Sequence, residues 1–177
     1  MSEVTLCRFN KRYANEYKRL NIEWIEKYFV VEEHDLEQLG NPEEYIIEKG
    51  GEILFAFYEE EVAGVCALIK TGEGEFELAK MAVAPQFQGK QIGYKIGKYA
   101  IETAKLLGAK RIWLESNRKL TPALNLYTKL GFKEIPVTVT PYERADIKMA
   151  LFLKAREHNS SQCSGSNGGK DLLLSDC

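Results

Sequence analysis

The sequence is short of the residues that announce several common chemistries. Of 177 residues, only 2 are histidine and 4 are cysteine. Cys7, Cys66, Cys163 and Cys177 stand far apart, with no spacing that suits zinc or a dense disulfide framework. Free thiols and no metal are therefore expected, with Cys7 and Cys66 falling in strand patterns as small buried hydrophobes. Long apolar runs are missing as well. The longest, residues 62–69, is far too short to cross a bilayer. Residues 1–8 lack a basic stretch followed by an apolar one, so no secretory leader is read and a cytoplasmic location is expected. Net charge is nearly absent, with 24 basic against 26 acidic side chains, or −2. That balance argues against a general nucleic-acid binder. No internal repeat is visible.

What remains is an ordinary globular composition, 45% hydrophobic and 28% charged, of a length that suits one domain. Residues 4–9 alternate like a first strand, and residues 11–29 carry Tyr13, Tyr17, Leu20, Trp24 and Tyr28 at helical spacing. Short helices are expected at 35–39 and 42–49, the second capped by Asn41 with Pro42 following. Three strands, 53–58, 62–70 and 75–83, are joined by short turns, as an antiparallel meander requires. Residues 91–107 form an apolar stripe of helical period, stopped by Gly108. A strand at 111–114, a helix at 123–130 opened by Thr121 and Pro122, and strands at 132–139 and 146–153 complete the pattern. Residues 1–154 are thus read as the domain. Residues 155–177 have little to bury and are read as a flexible polar tail.

The most informative stretch runs from Val83 to Gly93, leaving a strand, turning on Gly89 and opening a helix. The first amides of a helix lack intrahelical partners and sit at its partly positive end. Gly89 removes side-chain bulk, so these amides can close on an anion such as a pyrophosphate, with Lys90, Lys95 and Lys98 around the mouth. Gly93 and Gly97, on one helix face, would let that helix approach the sheet closely. The stretch is neither a Walker loop nor a dinucleotide fingerprint. Taken alone it is equally compatible with a turn that binds nothing.

Val83-Ala84-Pro85 followed by Gln86-Phe87-Gln88-Gly89-Lys90 resembles the acetyl-CoA motif of the GNAT superfamily of N-acetyltransferases, Gln/Arg-x-x-Gly-x-Gly/Ala. The sixth position departs from it, being Gln91, which is tolerable there if its φ is negative. A second match, Ala123-Leu124-Asn125-Leu126-Tyr127-Thr128-Lys129-Leu130-Gly131-Phe132, is similar to the family's Ala-x-x-x-Tyr-x-x-x-Gly-Phe segment. The family's Asn commonly lies three residues before that Ala, where this chain has Leu120; Asn117 lies three residues earlier. The resemblance covers residues 3 to about 153. It implies an α/β (α+β) fold of three αβα layers: a strongly twisted, mixed, mostly antiparallel sheet of about seven strands with splayed central strands. It further implies acetyl-CoA as co-substrate, its pantetheine paired along Met81, Ala82 and Val83 like an added strand. Its pyrophosphate would rest on Gln88, Gly89, Lys90, Gln91, Ile92, Gly93 and Tyr94, with Asn117 at the exit of the neighbouring strand.

Acyl transfer from a thioester to an amine needs a neutral amine, a stabilised oxyanion and a protonated thiolate. The resemblance places Tyr127 beside the sulfur, and a phenol of reference pKa about 10 stays protonated at neutral pH to act as general acid. The alternative is a tyrosine that only packs. Glu77 stands where many members keep a general base, and a partly buried carboxylate has the raised pKa this needs. It could equally be a surface partner for a lysine. Glu75, Glu77, Ala79 and Met81 share one face unless a bulge intervenes, and the amide of Met81 or its neighbour is the oxyanion-donor candidate. His34 and His158 are read as solvated residues rather than bases.

The expected activity is direct acetyl transfer to a small-molecule or peptide primary amine. The alternatives are transfer of a larger acyl group, or a catalytically silent CoA-binding or protein-interaction module. No nucleic-acid or membrane partner is expected, while homodimers are common in the family. Glu32, Glu33, Asp35, Glu37, Glu43 and Glu44 form an acidic run in a region that shapes the acceptor site of this fold. It is a solvated face or a funnel for a cationic amine. Charge divides along the chain in the same sense. Residues 1–79 hold 8 basic and 18 acidic side chains, whereas residues 80–154 hold 14 and 5. This suggests oppositely charged entrances for two substrates.

Overall fold

The computed structural model describes residues 3–154; the expected tail, 155–177, lies outside them. Seven strands form one mixed sheet: β1 (Val4–Arg8), β2 (Glu52–Tyr58), β3 (Glu61–Gly72), β4 (Glu75–Val83), β5 (Arg111–Ser116), β6 (Lys133–Ile135) and β7 (Ile147–Phe152). Their order is β1-β2-β3-β4-β5-β7-β6, and β4–β5 is the parallel pair while the other neighbours are antiparallel. Helices α1 (Ala14–Tyr28), α2 (Glu33–Gly40), α3 (Ile92–Leu106) and α4 (Thr121–Lys129) flank this open sheet. The α/β expectation of about seven strands is met.

Each element has a local cause. The Asn10 side chain accepts from the Arg12 amide at 3.1 Å and starts a short turn that leads into α1. Tyr17, Leu20 and Ile25 then form a buried stripe on β3 and β4. In α2, Glu32 and Asp35 make a reciprocal capping box, which satisfies two otherwise orphaned amides and starts the helix two residues before expectation. The segment expected to be a helix at 42–49 is one wide turn, Glu43–Ile47, closed by Glu48 N–H donating to Glu43 O at 2.8 Å. α3 carries the predicted stripe, with Ile92, Ile96, Ala100 and Ala104 all buried, and packs across β1 to β4.

Some expectations are corrected. The strand expected at 132–139 stops at Ile135, because Pro136 has no N–H to continue the ladder. α3 lies against the sheet as expected, and the space that its glycines leave is filled by leucines of the α4 segment: a Cβ on Gly97 would lie 2.6 Å from Leu130 Cδ1, and one on Gly93 3.2 Å from Leu126 Cδ2 and 3.9 Å from Val83 Cγ2 of β4. Thr121 is already helical, and Leu120 occupies the cap position without a side-chain cap. Cys66 is a free, fully buried thiol, whereas Cys7 is disulfide-bonded.

The turn into β2 depends on Gly51, where a Cβ would lie 2.4 Å from Leu68 O and 2.9 Å from Ile46 O. Both atoms are backbone and cannot rotate away. Gly51→Ala is therefore expected to destabilise the domain by about 1–3 kcal/mol, read as a Tm loss of several degrees; an unchanged Tm would contradict this packing.

Candidate active site

The site begins where two strands part. β4 pairs with β5 only from Glu75 to Glu77, opposite Arg111 to Trp113. Past that point β5 continues beside β7 to Ser116, while β4 continues beside β3 to Val83. Among the described residues, the β5-facing edge of β4 from Leu78 onward has no strand partner.

A bulge reshapes β4 at the same place. Ala67 opposes Ala79, but Val65 opposes Ala82, so β4 carries one residue more than β3 over this interval. Lys80 takes φ 52, the left-handed region that a bulge of this kind uses. The shared face expected for Glu75, Glu77, Ala79 and Met81 therefore ends at Ala79, and Met81 is turned out of it.

A cavity of about 100 Å³ lies in the opening, lined among others by Glu77, Met81 and Tyr127. Among the described residues, the Glu77 side chain has no hydrogen-bond partner. Burial raises its pKa to about 7, opposed by Lys80 and assisted by Glu115. Tyr127 projects from α4 with its ring edge-on to Phe132, 6.2 Å between centroids. Burial lifts its pKa to about 12, so the hydroxyl remains a proton donor. The two polar groups singled out in the sequence thus face one cavity, with pKa values suited to a base and an acid.

The cavity wall is built by residues the sequence reading did not connect. Asp35 on α2 is fully buried and accepts from Lys80 Nζ at 2.7 Å. It also takes both terminal nitrogens of Arg144, each at 2.8 Å. Arg144 reaches Glu32 as well, at 2.7 Å, and Lys80 Nζ donates to the Tyr142 hydroxyl at 2.8 Å. Burial alone would raise the Asp35 carboxyl, but hydrogen bonds from Arg144 and Lys80 outweigh it and hold it at about 2. The network ties α2, the β4 bulge and the loop before β7 into one wall.

The turn before α3 supplies a second feature. Gly89 has φ 82 and Gln91 φ 59, with nothing within 4 Å of a Cβ at Gly89. No side chain caps α3 and its first turn holds no acid. Among the described residues, the amides of Gly89 to Gly93 donate to no protein acceptor. Unpartnered N–H groups at the partly positive end of a helix are groups that can hold an anion. The condition for tolerating Gln91, a negative φ, is not met: glutamine here adopts the left-handed conformation that glycine takes most readily.

Comparison with known proteins settles the family. The acetyltransferase (GNAT) family profile matches residues 17–132. The chain belongs to the GNAT family. The uncharacterized N-acetyltransferase YvbK of Bacillus subtilis strain 168 is 35% identical over 103 residues, covering 56% of this chain and 66% of that relative. This chain thus spans just under two thirds of YvbK. A GNAT-family acetyltransferase from Staphylococcus aureus Mu50 superposes with TM-score 0.77 at 22% identity, over 86% of this chain and 100% of that one. A Bacillus subtilis acetyltransferase solved in complex with CoA gives TM-score 0.59 at 23% identity, over 87% and 100%.

Within this GNAT fold the remaining sequence candidates occupy varied places. Met81 and Asn117 line the cavity, while Val83 and Gln88 line a smaller recess against α1. Ala82 is buried beside β3. Asn117 is committed within the protein, Nδ2 donating to Arg144 O at 2.7 Å and Oδ1 accepting from the Lys119 amide at 3.0 Å. Lys90 lies over the Tyr58 ring, and Lys98 and Lys129 flank Tyr94. His34 packs against Tyr142 outside the cavity lining. None of the acidic run from Glu32 to Glu44 lines the cavity. Asp35 and Glu32 are neutralised by Lys80 and Arg144, and Glu43 pairs with Lys11 at 3.3 Å.

Removing Asp35 would leave two cations in a buried wall, so Asp35→Asn is expected to lower stability by about 3–5 kcal/mol in denaturant unfolding; a loss below about 1 kcal/mol would contradict the network. Because the Asp35 pKa is depressed in the folded state, its contribution is full above about pH 4. It is lost as pH falls toward about 2. At Gln91, relief of the left-handed backbone predicts that Gln91→Gly raises stability by about 1 kcal/mol, and a lower Tm would contradict it.

Proposed function

We propose that this GNAT chain transfers the acetyl group of acetyl-CoA to a primary amine by direct attack in a ternary complex. The observation that carries this reading is the convergence of Glu77 and Tyr127 on one cavity beside the unpaired edge of β4. Open backbone groups along Met81, Ala82 and Val83 suit an extended amide-bearing arm, which would pair as an added strand. The bare amides from Gly89 to Gly93, with Lys90 alongside, suit its pyrophosphate. When bound, acetyl-CoA supplies an activated thioester carbonyl.

The chain's own groups then divide the work. Glu77 takes a proton from the incoming ammonium, directly or through water, and leaves a nitrogen lone pair free. As that nitrogen bonds to the carbonyl carbon, the Met81 amide donates to the oxygen that gains charge. Tyr127 would deliver its proton to the sulfur as the carbon–sulfur bond breaks with its electron pair on sulfur, and solvent reprotonates the tyrosine. Glu77 gives up its first proton to solvent and then takes the second from the acylated nitrogen, so that one proton is released overall.

Glu77 is a base only when ionised, so kcat is expected to rise with pH through about 7 and then level. Glu77→Gln should abolish that limb and lower kcat by about 10²–10⁴; a variant of full activity would exclude the role. Tyr127→Phe should lower kcat while leaving the acetyl-CoA KM nearly unchanged, and equal turnover with a good amine would overturn the acid assignment. In a thermal-shift panel acetyl-CoA and CoA are expected to stabilise the chain. Stabilisation by ATP or NAD but not by CoA would sink the proposal.

A further inference from the structure

The acidic run suggested a cationic acceptor, yet the structure places those carboxylates outside the cavity lining and neutralises Glu32 and Asp35. A different residue reopens the question. Asn21 interrupts the apolar stripe of α1, is 2% exposed and lines the cavity. Its Nδ2 donates to the Tyr17 carbonyl one turn back, at 2.9 Å. A carbonyl opposite it can face only the NH₂ end of the amide, so the orientation is determined. Among the described residues, Oδ1 then has no donor. It keeps some exposure, whereas the Tyr17 hydroxyl is sealed in. A buried oxygen without a donor is unfavourable unless something else supplies one.

The Glu77 side chain reaches the same cavity from β4 and likewise has no donor among the described residues. Of the two cations in the lining, Lys80 is held by Asp35 and Arg144 by Asp35 and Glu32. The second carboxylate of the lining, Glu115, accepts from the Thr140 hydroxyl. The cavity therefore offers two hydrogen-bond acceptors that no described residue satisfies, the neutral Asn21 Oδ1 and the Glu77 carboxylate, whose charged form Lys80 and Lys148 favour from nearby. A ligand rich in N–H donors satisfies them, and one bearing a carboxylate does not.

We infer that Asn21 Oδ1 and the Glu77 carboxylate, facing the cavity from α1 and β4, hold the ammonium of a cationic primary-amine acceptor, with Asn21 the residue that selects for its N–H donors. The inference rests on the amine-acceptor reading above and adds how the amine is held. One ammonium proton goes to Glu77 for removal and another to Asn21, which orients the nitrogen for attack. Tertiary and anionic acceptors cannot satisfy both groups.

The test is isothermal titration of the full chain with spermidine, glucosamine and a peptide bearing a free N-terminal amine, with and without CoA. Wild type is compared with Asn21→Leu, which removes the oxygen, and Asn21→Asp, which keeps an oxygen but loses the bond to Tyr17. At least one amine is expected to bind wild type. Asn21→Leu should weaken it by roughly tenfold or more, and Asn21→Asp should retain it, while CoA affinity stays unchanged in both. Equal amine affinity in wild type and Asn21→Leu would overturn the inference. So would Asn21→Asp binding as poorly as Asn21→Leu, since the bond to Tyr17 would then be what matters, and so would failure of every amine to bind wild type. Failure of CoA alone to bind would strike at the acyl-donor reading, and the CoA-free amine titrations would still decide the role of Asn21.

Discussion

The site depends on β4 giving up its neighbour after Glu77. A strand edge inside a domain must find hydrogen-bond partners for its backbone, and here no strand of the described residues provides them past that point. The edge is stable only against water or against something extended that brings its own amides. The bulge at Lys80 makes the opening specific. Left-handed backbone at a lysine is unfavourable by about 1–2 kcal/mol, and it persists because the side chain it projects is anchored on Asp35 at 2.7 Å. The same bulge turns Met81 out of the Glu77 face, so the Met81 backbone and the Glu77 carboxylate are set apart along β4.

Asp35 links that strand to the loop before β7. A buried ion pair contributes little net stability against an apolar replacement, but breaking one side of it is severe. Its value here is geometric, since one carboxylate fixes Lys80 and Arg144, and through them the bulge and the loop before β7. The charge division along the sequence takes on a second meaning in this light. Asp35–Lys80, Glu32–Arg144 and Glu75–Arg111 all join an acid from residues 3–79 to a base from residues 80–154. Part of the asymmetry is spent on holding the two halves together, and only the remainder faces the solvent and the substrates.

Much of this was legible from local pattern. The meander, the α3 stripe and the strand–glycine–helix turn at Gly89 are written in periods and caps that need no tertiary knowledge. Glu77 and Tyr127 stand out in the sequence because each lies at a set offset from a motif, and the structure brings both to one cavity. Three things were not legible. The left-handed φ of Gln91 opposes the preference of its side chain, and the turn overrides it. The early end of β6 depends on Pro136 as well as on alternation, and alternation alone extends the strand too far. Asn21 and the Asp35 network rest on contacts between residues as far apart as Asp35 and Arg144, with no periodicity to betray them. A polar residue inside an otherwise apolar helix stripe was the one available sign of Asn21.

The claim at the centre is that the unpaired edge of β4 and the bare turn at α3 together hold the acyl donor. Amide hydrogen exchange of the full chain, with and without acetyl-CoA, tests it most directly, because it reads those backbone groups one by one. Protection is expected to appear at Met81 to Val83 and at Gly89 to Gly93 when acetyl-CoA is added, with the β1–β2 edge unchanged. Unaltered exchange at both segments in the presence of bound acetyl-CoA would contradict it.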